Sequence, residues 1–380
     1  MGWRGQRLPG LACNNGGMRK IAKGELKFWG VLVVVGVVLW TVFYMLFVRN
    51  WPYVIEGPGP TLNVLGNLDG KQLITVNGQE DKPEMGQLRM VTVSLRGGPG
   101  HQDVKGLELI RAWTNPAMHV ERYDRMYPKD ETAEQEMKIQ RQYMESSMDS
   151  ARAAALTYLH QPFEARVTVV GVSDKSDAKG KLQADDRILW LEVNGKKTAI
   201  KSTAELYAVA QSSAPGTVLN VGFERDGEER QTQVQTIAAP PGRKGSLLGV
   251  FIRADYKFPD DIKISVGDNI GGPSAGTMFT LGIISRLTHQ DLAGDQVIAG
   301  TGTMSPSGEV GPIGGIVQKV YGAQRDGAKW FLAPTSNCGD FKNQKLPEGI
   351  KIVAMSDVND AVNAVKQIAA GQGEHLKGCE

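Results

Sequence analysis

The residues best suited to chemistry are Ser274 and Lys319. Ser274 stands in Gly271-Gly272-Pro273-Ser274-Ala275-Gly276, among small residues and just ahead of an apolar, helix-like run from Thr277 to Leu287. Such a setting presents a hydroxyl bare for attack. Lys319 follows 45 residues after Ser274, inside Gly315-Ile316-Val317-Gln318-Lys319-Val320, where an amine can be desolvated. A serine hydroxyl is too weakly acidic to attack an amide unaided and needs an adjacent base. A lysine serves only when neutral, so burial must bring its pKa from about 10.4 toward about 7–8. Ile313, Ile316, Val317 and Val320 supply the apolar neighbours for that shift. Gly272, Pro273 and the small residues around them leave backbone N–H groups at a helix start, where an oxyanion can be held. The pair reads as a Ser–Lys hydrolase.

Other chemistries fit the chain less well. Gly272-Pro273-Ser274-Ala275-Gly276 also satisfies Gly-x-Ser-x-Gly, but that elbow needs an Asp and then a His downstream. Only His289 and His375 follow, one too close and one in a polar tail. Ser176-Asp177-Ala178-Lys179 fits Ser-x-x-Lys without a Lys-Thr-Gly partner and reads as surface, while Lys263 and Lys329 read as solvated. No His-Glu-x-x-His occurs and the five histidines are scattered, so no metal site is expected. No Gly-x-x-x-x-Gly-Lys-Ser/Thr loop is present, so no nucleotide cofactor is expected either. With 43 basic and 41 acidic residues the net charge is +2, which gives no pull toward nucleic acid.

The elements that must carry this chemistry fall in several segments, enough for two or three domains in 380 residues. Arg4, Arg7, Arg19, Lys20, Lys23 and Lys27 precede an uncharged run, Phe28 to Val48. As a helix that run spans roughly 31 Å, one bilayer core, with Trp29, Trp40, Tyr44 and Trp51 as interfacial anchors. It exceeds a signal-peptide core and no small-x-small site follows it, so an uncleaved anchor is expected. The amino-terminal flank then stays in the cytoplasm and everything after Arg49 lies outside. Met18 is an alternative start to Met1, because the first 17 residues read as an unstructured leader. Cys13 falls inside; Cys338 and Cys379 fall outside, where a disulfide between them would pin the tail, two free thiols being the alternative.

Pro52 to Pro60 is too rich in Pro and Gly to be helical, and Gln72–Val76 and Gln87–Leu95 read as strands. Residues 128–160 read as a helix that packs on a neighbour or serves as a spacer. From Phe163 to about Thr236, strands alternate with turns around one helix at roughly Ser202–Gln211. Ala238 to Ser246 is a Pro/Gly-rich linker, and strands then alternate with helices from Leu247 to Ala370.

Two resemblances sharpen this reading. Leu182-x-x-Asp185-Asp186-x-Ile188-Leu189 followed by Val193-Asn194-Gly195 resembles a PDZ domain, with Asp185 where glycine is usual. Such domains bind extended peptides along a sheet edge. Gly272–Gly276, the run Ile298–Gly315 and Lys319 resemble, in order and spacing, the proteolytic domain of Lon-type proteases over roughly 110 residues. That likeness implies Ser274 as nucleophile, Lys319 as general base and Thr301 as a hydroxyl that orients the lysine. Two positions depart from it: Gly271, where an acidic residue is common (Asp268 is slightly upstream), and Thr303, where Glu is usual.

The layout resembles the membrane-anchored PDZ–Lon proteins of Gram-positive bacteria. It implies a multi-domain chain: N-terminal transmembrane helix, β-rich PDZ domain and α/β (α+β) Lon-like proteolytic domain. The expected divisions are a basic leader at 1–27, the helix at 28–48 and a β-rich segment plus helix at 52–160. Beyond these come a PDZ domain at 163–238, a proteolytic domain at 247–370 and a tail at 371–380. The expected activity is ATP-independent serine endopeptidase action on extended extracytoplasmic polypeptides. A catalytically inactive scaffold at the membrane is the alternative, and a homo-oligomer is expected because Lon-like domains commonly form rings.

Overall fold

The computed structural model describes residues 23–68, 70–78, 86–127, 132–200, 203–239, 245–267 and 270–379. Arg4, Arg7, Arg19, Lys20, Cys13, both candidate starts, Asp268 and most of the 238–246 linker lie outside these residues. The chain begins with helix α1 (Lys23–Phe43), which runs on as a π-helical turn through Val48. Lys27–Val48 is long and apolar enough to cross a membrane, and none of it is buried. By length and composition, a membrane span or a signal sequence would fit it.

The central body is a six-stranded mixed sheet. Its strands are β1 (Tyr53–Asn63), β2 (Gln87–Arg96) and β3 (His119–Arg122), joined by β10 (Val297–Gly300), β11 (Trp330–Pro334) and β12 (Lys351–Met355). The order is β12-β11-β10-β2-β1-β3, parallel from β12 to β2 and antiparallel beyond. Alternate residues of the parallel strands face opposite sides, as the pleat requires. Leu88, Met90, Ile298, Leu332 and Val353 pack under α3 (Ala133–Tyr158), α5 (Gly276–Thr288) and α7 (Val358–Ala369). Val91, Ala299, Phe331 and Ala333 pack on the other side under α6 (Ile316–Arg325). The sheet is therefore buried on both faces, the usual condition of parallel strands.

Pro58 and Pro60 sit in β1 although it is an inner strand. Strand β3 pairs only with Tyr53 to Glu56, and the β1–β2 register shifts between Pro58 and Thr61. The missing proline N–H groups thus fall beyond β3 and at a bulge, where the ladder does not need them.

The second unit is antiparallel. Strands β4 (Glu164–Val172), β5 (Arg187–Val193), β6 (Lys196–Ala199), β7 (Val218–Arg225), β8 (Glu228–Gln235) and β9 (Val250–Lys257) form it with α4 (Thr203–Gln211). The order is β8-β7-β5-β4-β9, with β6 beside β5. Val167, Ile188, Leu191, Leu206, Val221 and Phe223 are among its core residues. Asp185 takes a positive φ of 70° here, the left-handed conformation that explains why glycine is the common residue at that point of the motif. Asp186 beside it is fully buried and accepts from Arg225 Nε at 2.6 Å, Arg225 Nη2 at 2.7 Å and the Gln183 amide at 2.8 Å.

The strand pairing runs across the expected divisions at 52–160 and 247–370. Residues 52–160 form no unit of their own: β1, β2 and β3 complete the sheet built by β10–β12, and α3 shares its core. Likewise β9 pairs along β4, from Val250↔Val172 to Lys257↔Glu164, and so belongs to the antiparallel unit. That unit enters at Glu164 and leaves at Lys257, adjacent residues across one ladder. It is an insertion in the larger domain. Sequence periodicity marks strands but does not say which distant strand each one joins.

Candidate active site

Ser274 lies on the loop just before α5, two residues ahead of Gly276, the first helical residue. Two carbonyls fix that loop to α3: the Gly272 amide donates to Gln140 O at 3.2 Å, and Ser147 Oγ donates to Pro273 O at 3.0 Å. Gly272 holds a positive φ of 88°. A side chain at Gly271 would meet Gln140 Cβ at 2.6 Å, so the acidic residue common in Lon proteases at this point would not fit as α3 is packed. From the other side, the Ser274 carbonyl accepts from Gly302 N at 2.9 Å and Thr301 Oγ1 at 2.9 Å. Of the two readings of helix α3, packing on a neighbour is the one the structure shows: it is the wall that holds the serine loop.

Thr301 comes directly after the end of β10 and is fully buried. Lys319, one turn into α6, is 3% exposed and its Nζ donates to Thr301 Oγ1 at 3.4 Å. Burial lowers the Lys319 pKa from 10.5 to about 8, while the carboxylate of Glu56 on β1 acts in the opposite direction. Glu56 is itself raised by burial; His119, its register partner on β3, and Lys319 draw it down, and Glu121 adds to the rise. Gly315, the α6 N-cap, comes after a turn held by buried Asn337, whose Oδ1 accepts from Ile313 N at 3.0 Å and whose Nδ2 donates to Ile313 O at 2.9 Å. Next to it, Cys338 is disulfide-bonded to Cys379, with Cα atoms 4.9 Å apart, so the tail is tied to the segment facing α6.

Ser274 and Lys319 line one cleft of about 390 Å³. Its walls come from Met90 to Leu95 of β2, Met144 of α3, and Ile270 to Gly272 with Ala275 around the serine. Among the described residues no hydrogen bond joins Ser274 Oγ to Lys319 Nζ; Thr301 stands between the serine carbonyl and the amine. The arrangement holds a half-buried hydroxyl and a desolvated amine against the start of a helix, which is what base-assisted acyl transfer needs. Lys263 and Lys329 are exposed, and Lys263 pairs with Asp261. No cluster of three or more His, Cys, Asp or Glu among the described residues is arranged to hold a metal.

Glu56, the α3 residues and the β2 wall were not singled out in the sequence. Their signal was faint: Gln87–Leu95 reads as a strand, but nothing local marks it as the cleft wall.

Gly302 fixes the approach of these parts. Its φ is 153°, and a Cβ there would lie 2.5 Å from Thr277 Oγ1 and 2.8 Å from Val310 Cγ1. Gly302→Ala is expected to cost about 1–3 kcal/mol by crowding and backbone strain. Denaturant midpoints would show it; an unchanged midpoint would mean the loop has room to shift.

Residues 259–368 match the family model of the Lon protease (S16) C-terminal proteolytic domain. Over these residues the chain is similar to a Lon-type proteolytic domain. The chain is 30% identical over 197 residues to the Lon protease of Haemophilus influenzae, covering 51% of this chain and 22% of that protein. It is 29% identical over 164 residues to Lon protease 2 of Bacillus subtilis, covering 42% and 29%. The chain thus spans between a fifth and a third of the length of these relatives. Among solved structures, the PDZ domain of an SdrC-like protein from Listeria monocytogenes matches at 23% identity and a TM-score of 0.20, covering 23% of this chain and 85% of that one. A second SdrC-like PDZ domain, from Listeria innocua, matches at 21% identity and the same TM-score, covering 23% and 92%.

Proposed function

We propose that this chain is a membrane-anchored, ATP-independent serine endopeptidase with a Ser274–Lys319 dyad, acting on extended polypeptides outside the cytoplasm. The observation that carries the reading is the buried Lys319 amine, held by Thr301 in the same cleft as Ser274 within a Lon-type domain. Neutral Lys319 takes the Ser274 Oγ proton as the oxygen bonds to the scissile carbonyl carbon. It then passes the proton to the leaving amine as the C–N bond breaks. Water, deprotonated in turn by Lys319, hydrolyses the acyl-serine. The Ser274 and Ala275 amides at the helix start are the candidate oxyanion donors.

An extended substrate is supported by β2. Strand β10 ends at Gly300, opposite Met90, whereas β2 runs on to Arg96 paired on its other side with β1. The free edge of residues 91–95 borders the cleft, where a peptide can add as a strand. The inserted PDZ-like unit would select or gate such segments. An uncleaved anchor is supported by the packing at the far end of α1's extension. Trp51 Nε1 donates to Met45 O at 3.1 Å and Lys105 Nζ to Val48 O at 3.0 Å, so the helix end is packed on the segments that follow it.

The test is the pH dependence of casein-peptide cleavage by the full chain. A lysine base must be neutral, so kcat/KM should rise about tenfold per pH unit below about 8 and level off above it. A profile flat through pH 8 would remove Lys319 as the base.

A further inference from the structure

Helix α2 (Gly106–Thr114) is apolar on two sides. Leu109 and Ala112 face inward, packed with Ile55 and Val104. Ile110 and Trp113, one turn apart on the outside, are 46% and 64% exposed. A surface helix of a water-soluble domain normally buries its apolar stripe and shows a polar one. Here the exposed side has a neighbour of stated chemistry. Gly106 starts α2 so close to the end of α1's extension that a Cβ would lie 2.5 Å from Met45 O. Nine residues of helix reach about 13 Å from that point, so Ile110 and Trp113 stay near where the apolar helix ends. Trp113 meets Tyr53 edge to face at 6.5 Å between centroids, and Arg49 lies over Trp51 at 4.7 Å. Exposed Arg49 and Arg111 flank this aromatic group, while Asp103 and Glu108 are engaged by Asn50 and Arg96.

We propose that the outer side of α2, through Ile110 and Trp113, dips into the headgroup–acyl boundary of the bilayer that α1 spans, with Arg49 and Arg111 against anionic headgroups. This rests on the reading of α1 as an uncleaved span. Amphipathic aromatic rings and cations are the groups that settle at such a boundary. Two contacts, the span and α2, would fix the orientation of the proteolytic domain over the membrane; a span alone would leave it free to swivel.

The full chain in nanodiscs of mixed zwitterionic and anionic phospholipid would carry a trace of lipid with a diazirine high on its acyl chain. After illumination, lipid adducts are mapped by peptide mass. Adducts in both 28–48 and 106–118 are expected. Adducts in 28–48 alone would overturn the α2 contact and leave the span intact, whereas none in 28–48 would remove the span reading and the proposal with it. A contact with a second protein would shield Trp113 from oxidation without lipid adducts, which also overturns the proposal. In Ile110→Asp/Trp113→Asp, adducts at 106–118 should largely vanish, with those at 28–48 and the reactivity of Ser274 kept. Unchanged adducts at 106–118 in that variant would show mere proximity and sink the idea.

Discussion

Ser274→Ala and Lys319→Met are each expected to abolish peptide cleavage, by on the order of a thousandfold or more, with the double variant losing no more than either alone. Nucleophile and base act as one unit, so removing either removes the whole proton-transfer path. Lys319→Met also separates lost chemistry from lost folding. The native amine is 3% exposed and its pKa falls from 10.5 to about 8. Below about 8 the fold carries the full cost of a buried ammonium. Between about 8 and 10.5 the unfolded chain holds the proton that the native chain releases, so native stability rises with pH across that window. Methionine has no proton to carry. The variant should therefore melt no lower than the native protein at neutral pH, and its advantage should fade as pH climbs through that window. A Lys319→Met protein that unfolds early would instead make the lysine structural. Near-normal cleavage by either single variant would end the dyad assignment.

Arg225→Met should uncouple the inserted unit from the rest of the molecule. Asp186 is fully buried, and Arg225 supplies two of its three hydrogen-bond donors. Removing the guanidinium leaves a desolvated carboxylate with only the Gln183 amide, a loss of about 3–5 kcal/mol. That is a large share of the stability of a small domain. Because Glu164 and Lys257 face each other where the chain enters and leaves, unfolding of the insertion need not disturb the six-stranded sheet. Calorimetry should show one transition moved to lower temperature and another unchanged, with small-peptide hydrolysis retained. A single transition shifted as a whole would mean that insertion and sheet fold as one cooperative unit. Complete loss of small-peptide hydrolysis with the second transition intact would give the insertion a direct role in the cleft.

The surroundings of Ser274 and Lys319 were legible in the sequence, because the neighbours of each announce them: small residues before an apolar helix, and apolar residues on either side of a lysine. The strands of the inserted unit were legible for a similar reason, since alternation and Asp-Gly or Asn-Gly turns are local signals. Partner choice was not. Strand β2 pairs with β10, whose first residue, Val297, stands opposite Gln87 more than two hundred positions away, and nothing in either strand names the other. For the same reason residues 52–160 looked separate, and the sequence left open whether α3 packs on a neighbour or is a spacer, whereas Gln140, Met144 and Ser147 line or brace the cleft. Glu56 escaped notice because a lone carboxylate in a Pro/Gly-rich strand carries no motif; only the fold sets it near Lys319.

In the proposed mechanism Lys319 makes Ser274 nucleophilic. An organophosphonate probe, added to the full chain above and below pH 8 and read by peptide mass, tests it most directly. An adduct is expected on Ser274, forming faster above pH 8 than below it and lost in a folded Lys319→Met protein. An adduct that forms on Ser274 at the same rate without Lys319, or one found on another residue, would contradict it.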